Sequence, residues 1–340
     1  MMLRILVMKI NDSRILITGG AGFIGSEIVS QLSKNSNTTL IVIDNLINGK
    51  IDNIKNYLNK NIIFINEDIR NSSELIKILK DIDIVFHLAC LGVRHSIHSP
   101  IENHEVNATA TLDLIKLSYE NKVKKFVYVS SSEVYGSAIN VPMDENHPTY
   151  PHTVYGSSKL AGENYTRAFH DTYRMANIVV RPFNCYGPRS HHEGDSGEVI
   201  PKFLLRSLVG KPIIIFGDGL QTRDFTYVSD TANGIILAGL NDNAIGKTFN
   251  LGSGNETTII DLAKIITDVT KDKKRLIDHY DERPGDVKRL YSNCNQAKKI
   301  LNYKTTINLR EGLVKLKEWY HNNFSSIDEL LLNEKIINWK

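Results

Sequence analysis

A short apolar run, Arg14-Ile15-Leu16-Ile17-Thr18, passes directly into Gly19-Gly20-Ala21-Gly22-Phe23-Ile24-Gly25 and then into a helix-forming stretch. Few folds accept glycines at 19, 22 and 25 between a strand and a helix. The arrangement suits a tight turn, a close backbone approach to a pyrophosphate, and close packing of the helix on the strand. The free N–H groups at such a helix start, with the positive end of its dipole, favour phosphate charge. The context of strand, glycine turn and helix is what gives the triplet its meaning as a dinucleotide-binding turn.

The rest of the first half repeats the same rhythm. Leu40–Ile43, Ile62–Ile65, Ile84–Leu88, Phe126–Ser130 and Ile178–Arg181 are short and almost continuously apolar. Strands read this way when helices cover both faces of their sheet. Between them the spacing predicts helices over Ile24–Leu32, Ser73–Leu79, Asn103–Tyr119 and Val154–Tyr173. Alternation of this kind implies an α/β fold, a doubly wound parallel Rossmann sheet with right-handed crossovers. After Arg181 the pattern loosens into loops rich in Gly, Pro and His, notably Asn184–Glu198. Helices are expected near Val199–Val209, Thr258–Thr270 and Arg310–Tyr320. The expected organisation is a cofactor-binding domain over 13–182, with later interleaved elements near 225–252. A smaller mixed α/β substrate portion spans 183–224 and 253–320, and 321–340 forms a peripheral tail.

The second strand ends at Asp44, nineteen residues beyond Gly25. An acid there accepts from both adenosine ribose hydroxyls and repels a 2′-phosphate, and no Arg follows at 45 or 46, so NAD is favoured over NADP. Asp68-Ile69 follows the third strand and is placed near the adenine. Farther on, Tyr155-Gly156-Ser157-Ser158-Lys159 sets Tyr155 and Lys159 four apart, on one helical face. An ammonium beside a phenol stabilises phenolate and brings the tyrosine toward working pH as a general base. Ser130-Ser131-Ser132 ends a strand on the side of the sheet where such folds bind ligands.

Composition narrows the partners. Lys and Arg total 41 against 38 Asp and Glu, a net charge of +3; the densest basic run, Lys271–Arg275, also holds Asp272. That balance excludes a dedicated nucleic-acid binder, whose basic residues are in clear excess and clustered. Cys90, Cys185 and Cys294 are too scattered for a disulfide framework and read as small residues in a reducing compartment. The apolar stretch Leu3–Met8 is short and broken by Arg4, so it does not read as a signal peptide. No run reaches the roughly 20 apolar residues of a membrane span, and a cytoplasmic protein is expected. His191, His192, Glu193 and Asp195 share one glycine-bounded loop and read as a substrate-covering loop rather than a metal site. His95 and His98 read as loop-packing or surface histidines.

Several motifs occur together and in order: Thr-Gly-Gly-Ala-Gly-Phe-Ile-Gly, Phe86-His87-Leu88-Ala89, Ser-Ser-Ser-Glu-Val-Tyr-Gly, and Tyr-x-x-x-Lys. After them come Arg181-Pro182-Phe183-Asn184-Cys185-Tyr186-Gly187-Pro188-Arg189 and Gln221-Thr222-Arg223-Asp224-Phe225. Over roughly residues 13 to 320 the chain resembles the extended short-chain dehydrogenase/reductase family, in its NAD-dependent nucleotide-sugar epimerase, dehydratase and decarboxylase group. The resemblance implies a cofactor wall of Gly19, Gly22, Phe23, Ile24, Gly25, Asp44, Asp68, Ile69, Leu88, Ala89, Tyr155 and Lys159. It implies that Tyr155 takes the proton of the sugar 4-hydroxyl while hydride leaves C4, that Lys159 holds the nicotinamide ribose, and that Ser131 bonds the reacting hydroxyl. Ser132, Asn184, Arg223 and Arg283 fall on the substrate side, the two arginines on the diphosphate; Arg189 reads equally as a loop salt-bridge partner. A nucleotide-diphosphate sugar and a homodimer through helices 104–120 and 155–173 are the partners implied.

After C4 oxidation the family diverges, and Glu133 is the residue on which the branch turns. A 4,6-dehydratase must take the C5 proton and expel the C6 hydroxyl, work that suits a carboxylate beside the sugar. Ser132 stands where better-known dehydratases carry an Asp, although a single-Glu dehydratase group shares the Ser-Glu arrangement. The favoured expectation is a nucleotide-hexose 4,6-dehydratase, with 4-epimerase and glucuronate decarboxylase as alternatives. From another class stands a non-catalytic dinucleotide-sensing protein on the same fold.

Overall fold

The apolar runs all become strands: β1 Arg14–Thr18, β2 Thr39–Asp44, β3 Ile62–Asn66, β4 Ile84–His87, β5 Lys125–Val129 and β6 Asn177–Pro182. They come from a computed structural model that describes residues 12–194, 196–283 and 285–339. Leu3–Met8 and Asp195 of the sequence reading, and Pro284 beside Arg283, lie outside the described residues. With Thr248–Leu251 the six strands make a seven-stranded sheet in the order Thr248–Leu251, β6, β5, β4, β1, β2, β3. Every neighbouring pair is parallel.

Period-two alternation explains the unbroken apolar runs. Ile15, Ile17, Leu40, Val42, Phe86 and Val127 pack into one helical layer, while Leu16, Ile41, Ile43, Val85, Phe126 and Tyr128 pack into the other. Both faces are buried, so neither parity can be polar. The first layer holds Phe23–Leu32 and Val228–Leu240. Val228–Leu240 was not foreseen as a helix. It is buried nearly all round and shows no polar stripe, and a Cβ on its Gly239 would lie 2.6 Å from the Phe86 ring. The second layer holds Ala110–Glu120 and Val154–Tyr173.

The expected helix Asn103–Tyr119 is instead three pieces: Pro100–His104, a π turn over Glu105–Thr109, and Ala110–Glu120. Asn103 and Asn107 turn inward on this widened turn. Asn107 accepts from the Leu91 amide at 2.8 Å, and both asparagine amides donate to the Leu91 carbonyl. The loop after β4 is thereby tied to the helix layer, a use of π turns common near functional sites.

A third apolar cluster joins Val199–Leu208, Ile259–Thr270 and Leu309–Asn323 beside a parallel pair, Ile213–Phe216 with Ile277–Tyr280. The segment over 321–339, expected as a peripheral tail, is tied to the body by several contacts. Leu331 is buried, Glu334 pairs with Arg206 at 2.7 Å, Asn338 donates to the Gly197 carbonyl, and Trp339 meets Phe216 with ring centroids 4.6 Å apart. Among the described residues no helix is long and apolar enough to cross a membrane. Cys90, Cys185 and Cys294 are free thiols.

Candidate active site

The strand order reverses between β1 and β4, and a cleft of about 1120 Å³ opens at their carboxyl ends. Such a switch point is where doubly wound sheets bind ligands. Every cofactor, catalytic and substrate residue expected from the sequence lines this one cleft.

At its first end Gly19 has φ +69, and a Cβ there would lie 2.7 Å from the Ala89 amide. A Cβ on Gly25 would collide with the Gly19 carbonyl oxygen, so the turn and the helix Phe23–Leu32 close only on glycine. Thr18 Oγ1 accepts from the Leu88 and Ala89 amides and bonds His87 Nδ1 at 2.7 Å. Thr111 takes the other ring nitrogen, and burial, aided by the Lys159 charge, brings His87 down to about 3. His87 is therefore a neutral clasp between β1, β4 and the helix layer.

Asp44 ends β2 at the cleft wall, its carboxylate accepting from the amides of Ala21 at 3.0 Å and Leu46 at 2.9 Å, and burial raises it above the ordinary aspartate value. Asp68 is held by Arg70 at 2.8 Å and by the Asn45 amide at 2.8 Å; the Arg70 hydrogen bond brings it down to about 2.

Ser131 and Glu133 come from the turn that ends β5. Ser131 Oγ accepts from the Glu133 amide at 3.2 Å and caps the 3₁₀ turn Ser132–Tyr135. Thr153 caps the helix Val154–Tyr173 by accepting from the Gly156 amide. The two starts touch: a Cβ on Gly156 would lie 2.8 Å from the Glu133 carbonyl oxygen. This approach brings Tyr155 to Ser131, whose hydroxyl favours the phenolate. Ser132 is buried beside them.

Tyr155 is not lowered as its spacing from Lys159 predicts. Burial holds the phenol above the ordinary tyrosine range; Cys90, Glu133 and Glu198 push the same way, and the Ser131 hydroxyl opposes them. Lys159 is buried, its Nζ lies 4.6 Å over the Tyr128 ring, and desolvation lowers it.

At the far end Arg223 donates to the carbonyls of Thr222 and Val287 and, at 2.8 Å, to Asp286 Oδ1, the same oxygen that Arg283 reaches at 2.5 Å. The Asn184 amide oxygen is buried without a partner. Arg189 lies outside the cleft and pairs with Glu27 at 2.5 Å, the salt-bridge role of the sequence reading. His95 and His98 both line the cleft, and His95 Nε2 lies 3.2 Å from Glu102. His192 lies 3.1 Å from Glu193, which bonds Lys50, and its ring abuts Tyr320 and Phe324.

Three residues of the site were missed. Arg94 is half-buried with Nε buried and unpartnered, and desolvation brings its guanidinium down to about 10. Burial pushes Glu198 up to about 7, with Arg94 opposing, and brings Lys202 down to about 8. Arg94 follows the strand-end segment Leu88–Gly92, and Glu198 precedes a helix as its N-cap residue. Position at an element end facing the switch point is the signal by which Arg94 and Glu198 can be found.

The residues present fit a dinucleotide: a glycine cradle that no Cβ can enter, a helix start above it, and a buried acid at the end of β2. Comparison with known proteins agrees. Residues 16–316 match the family described as GDP-mannose 4,6 dehydratase. A putative UDP-glucose 4-epimerase of Methanocaldococcus jannaschii is 38% identical over 313 residues, 91% of this chain and 99% of that protein. Among solved structures, epimerase Mth375 of Methanothermobacter thermautotrophicus superposes with a TM-score of 0.90 at 34% identity, covering 96% of this chain and 98% of the other. DesIV, a dTDP-glucose 4,6-dehydratase of Streptomyces venezuelae with NAD bound, superposes with a TM-score of 0.86 at 29% identity over 91% and 97% of the two chains. With its parallel sheet, glycine cradle and Tyr-x-x-x-Lys helix set on one cleft, the chain belongs to the NAD-dependent short-chain dehydrogenase/reductase family of nucleotide-sugar epimerases and dehydratases.

Proposed function

We propose that the protein is a nucleotide-hexose 4,6-dehydratase. The observation that carries this reading is the carboxylate of Glu133 on the cleft wall, close enough to Tyr155 for its charge to act on the phenol. In this reading Gly19, Gly22 and Gly25 cradle the pyrophosphate of NAD, Asp44 takes the adenosine ribose, and Lys159 takes the nicotinamide ribose. NAD, when bound, supplies the acceptor and later the donor of one hydride.

Tyr155 removes the proton of the sugar 4-hydroxyl, which Ser131, beside Tyr155 on the same wall, orients. The resulting C4 ketone acidifies C5–H, and Glu133 takes that proton. The C6 hydroxyl departs as water after accepting a proton. Glu198, held protonated to about pH 7 by burial in the same cleft, is the donor placed for that step. Asn184, Arg223 and Arg283 hold the sugar diphosphate, whose oxygens match the planar guanidinium fork. A homodimer through the helices over 104–120 and 155–173 accords with exposed Tyr119 and Tyr173, whose rings meet Phe169 edge-on and tilted.

A 4-epimerase is the second reading. Buried Ser132 stands where a two-carboxylate dehydratase has its acid, and similar proteins include epimerases. Mass spectrometry decides between them, after incubation with UDP-, GDP- and dTDP-hexoses, their N-acetyl forms and glucuronates. Loss of one water is expected, and Glu133→Gln should bind NAD and substrate yet form no dehydrated product. An isomer of unchanged mass means epimerisation, and loss of carbon dioxide means decarboxylation. Full turnover by Glu133→Gln would remove the proposed role.

A further inference from the structure

Past Arg223 and Arg283 the cleft does not end at the sheet-bearing part of the molecule. The strand Ile213–Phe216 lies parallel to Ile277–Tyr280, whose chain continues three residues to Arg283. Phe216 therefore sits at the arginine end of the cleft, which it lines. Trp339 meets it there with centroids 4.6 Å apart and planes at 75°. The two rings form a corner, one presenting an edge to the face of the other.

The tail that carries Trp339 is anchored rather than loose. Glu334 and Arg206 pair at 2.7 Å with both side chains largely buried. Lys202 Nζ donates to the Lys335 carbonyl at 2.6 Å, and Asn338 donates to the Gly197 carbonyl at 3.1 Å. Ile336, Asn338 and Trp339 all line the cleft.

A nucleotide sugar whose diphosphate lies at the two arginines must place its base beyond them, and a base is a flat π-system that stacks on aromatic faces. Resting on the nucleotide-sugar reading above, we infer that the segment 334–339 completes a nucleobase subsite, with Trp339 and Phe216 as its two aromatic walls. Trp339 then stacks or edges the base, and Glu334 and Asn338 act as positioning residues that keep it there.

The experiment uses the full chain. Trp319 and Trp339 are its two tryptophans, so Trp319→Phe leaves Trp339 as the single reporter. Saturable quenching of its emission by UDP, GDP or dTDP is expected. By calorimetry, Trp339→Ala should bind the preferred nucleoside diphosphate roughly tenfold more weakly, from the worth of one base–aromatic stack. Trp339→Phe should recover most of that loss, and NAD affinity should not move, which shows the variants are folded. Unchanged emission at saturation, or equal affinity in Trp339→Ala, overturns the subsite while leaving the nucleotide-sugar reading intact. Tighter binding after removal of 325–340 would mean the tail occupies the base position, which also overturns it. If the wild-type chain binds none of the three diphosphates, the nucleotide-sugar reading itself falls and the subsite with it.

Discussion

Gly156, in the first turn of the helix that carries Tyr155, sits where a Cβ would come within 2.8 Å of the carbonyl oxygen of Glu133. One glycine thus sets the separation between the proposed base and the proposed C5 acid–base group. Gly156→Ala should force the helix start and the turn Ser132–Tyr135 apart. The expected cost is about 1–3 kcal/mol of stability, typical of overpacking. At least a tenfold fall in kcat with little change in NAD affinity should accompany it. Thermal unfolding and steady-state kinetics read the two effects separately, and a variant with wild-type kcat would detach this contact from catalysis.

The turn is held from its other side by Arg181. Its guanidinium grips buried Glu163 with two bonds, 2.8 and 2.6 Å, and donates to the Tyr135 hydroxyl at 2.7 Å. Tyr135 in turn donates to Asn250 of the edge strand Thr248–Leu251. Arg181→Leu leaves a buried carboxylate facing only Arg167 and should cost about 3–5 kcal/mol in a denaturant titration. Arg181→Leu combined with Glu163→Leu should recover part of that loss, because no lone charge remains.

Glu198 makes stability depend on pH in a definite direction. Its carboxyl is pushed up to about 7 in the folded chain from an ordinary 4.5. A raised acid contributes its full stability below the unfolded value and loses it as pH rises through the folded one. The difference in melting temperature between the wild type and Glu198→Gln should therefore shift against the wild type from about pH 4.5 to about 7 and level off above. In activity, the alkaline limb of kcat/KM against pH should lie near 7 in the wild type and be absent in the variant. A flat difference across this range would show that Glu198 titrates as an ordinary surface acid.

Asp44 supplies a test of the cofactor end. Asp44→Asn keeps its size and one acceptor for the amides of Ala21 and Leu46 but removes the charge. NAD should bind about tenfold more weakly, within the worth of hydrogen bonds to a charged group, and the preference over NADP should narrow. Equal binding of both dinucleotides to variant and wild type would place the adenosine ribose elsewhere.

Much of this was readable from the residues because burial on both sheet faces leaves an unmistakable apolar run. Ile84 to His87 and Asn177 to Pro182 are buried throughout, and no helical period fits them. The helix Val154–Tyr173 kept its expected bounds, with Thr153 capping one end and Arg174 turning left-handed at the other. What stayed hidden depended on partners far away in sequence. Val228–Leu240 has no polar face because nearly all of its residues are buried. Arg94 and Glu198 are unremarkable as residues, and only the fold that desolvates them in one cleft moves their titration. The tail offered no period at all, since its hold on Arg206, Lys202 and Gly197 runs through single side chains and carbonyls.

Arg223 and Arg283 share one oxygen of Asp286, and Arg223 is further tied to two carbonyls. Long side chains of this kind normally lose rotamer freedom when they close on an anion. Here that ordering is completed when the chain folds. On the proposed reading an incoming diphosphate would meet two guanidiniums already in place, and binding strength at this end would be set more by charge geometry than by the entropy of gathering the arms together.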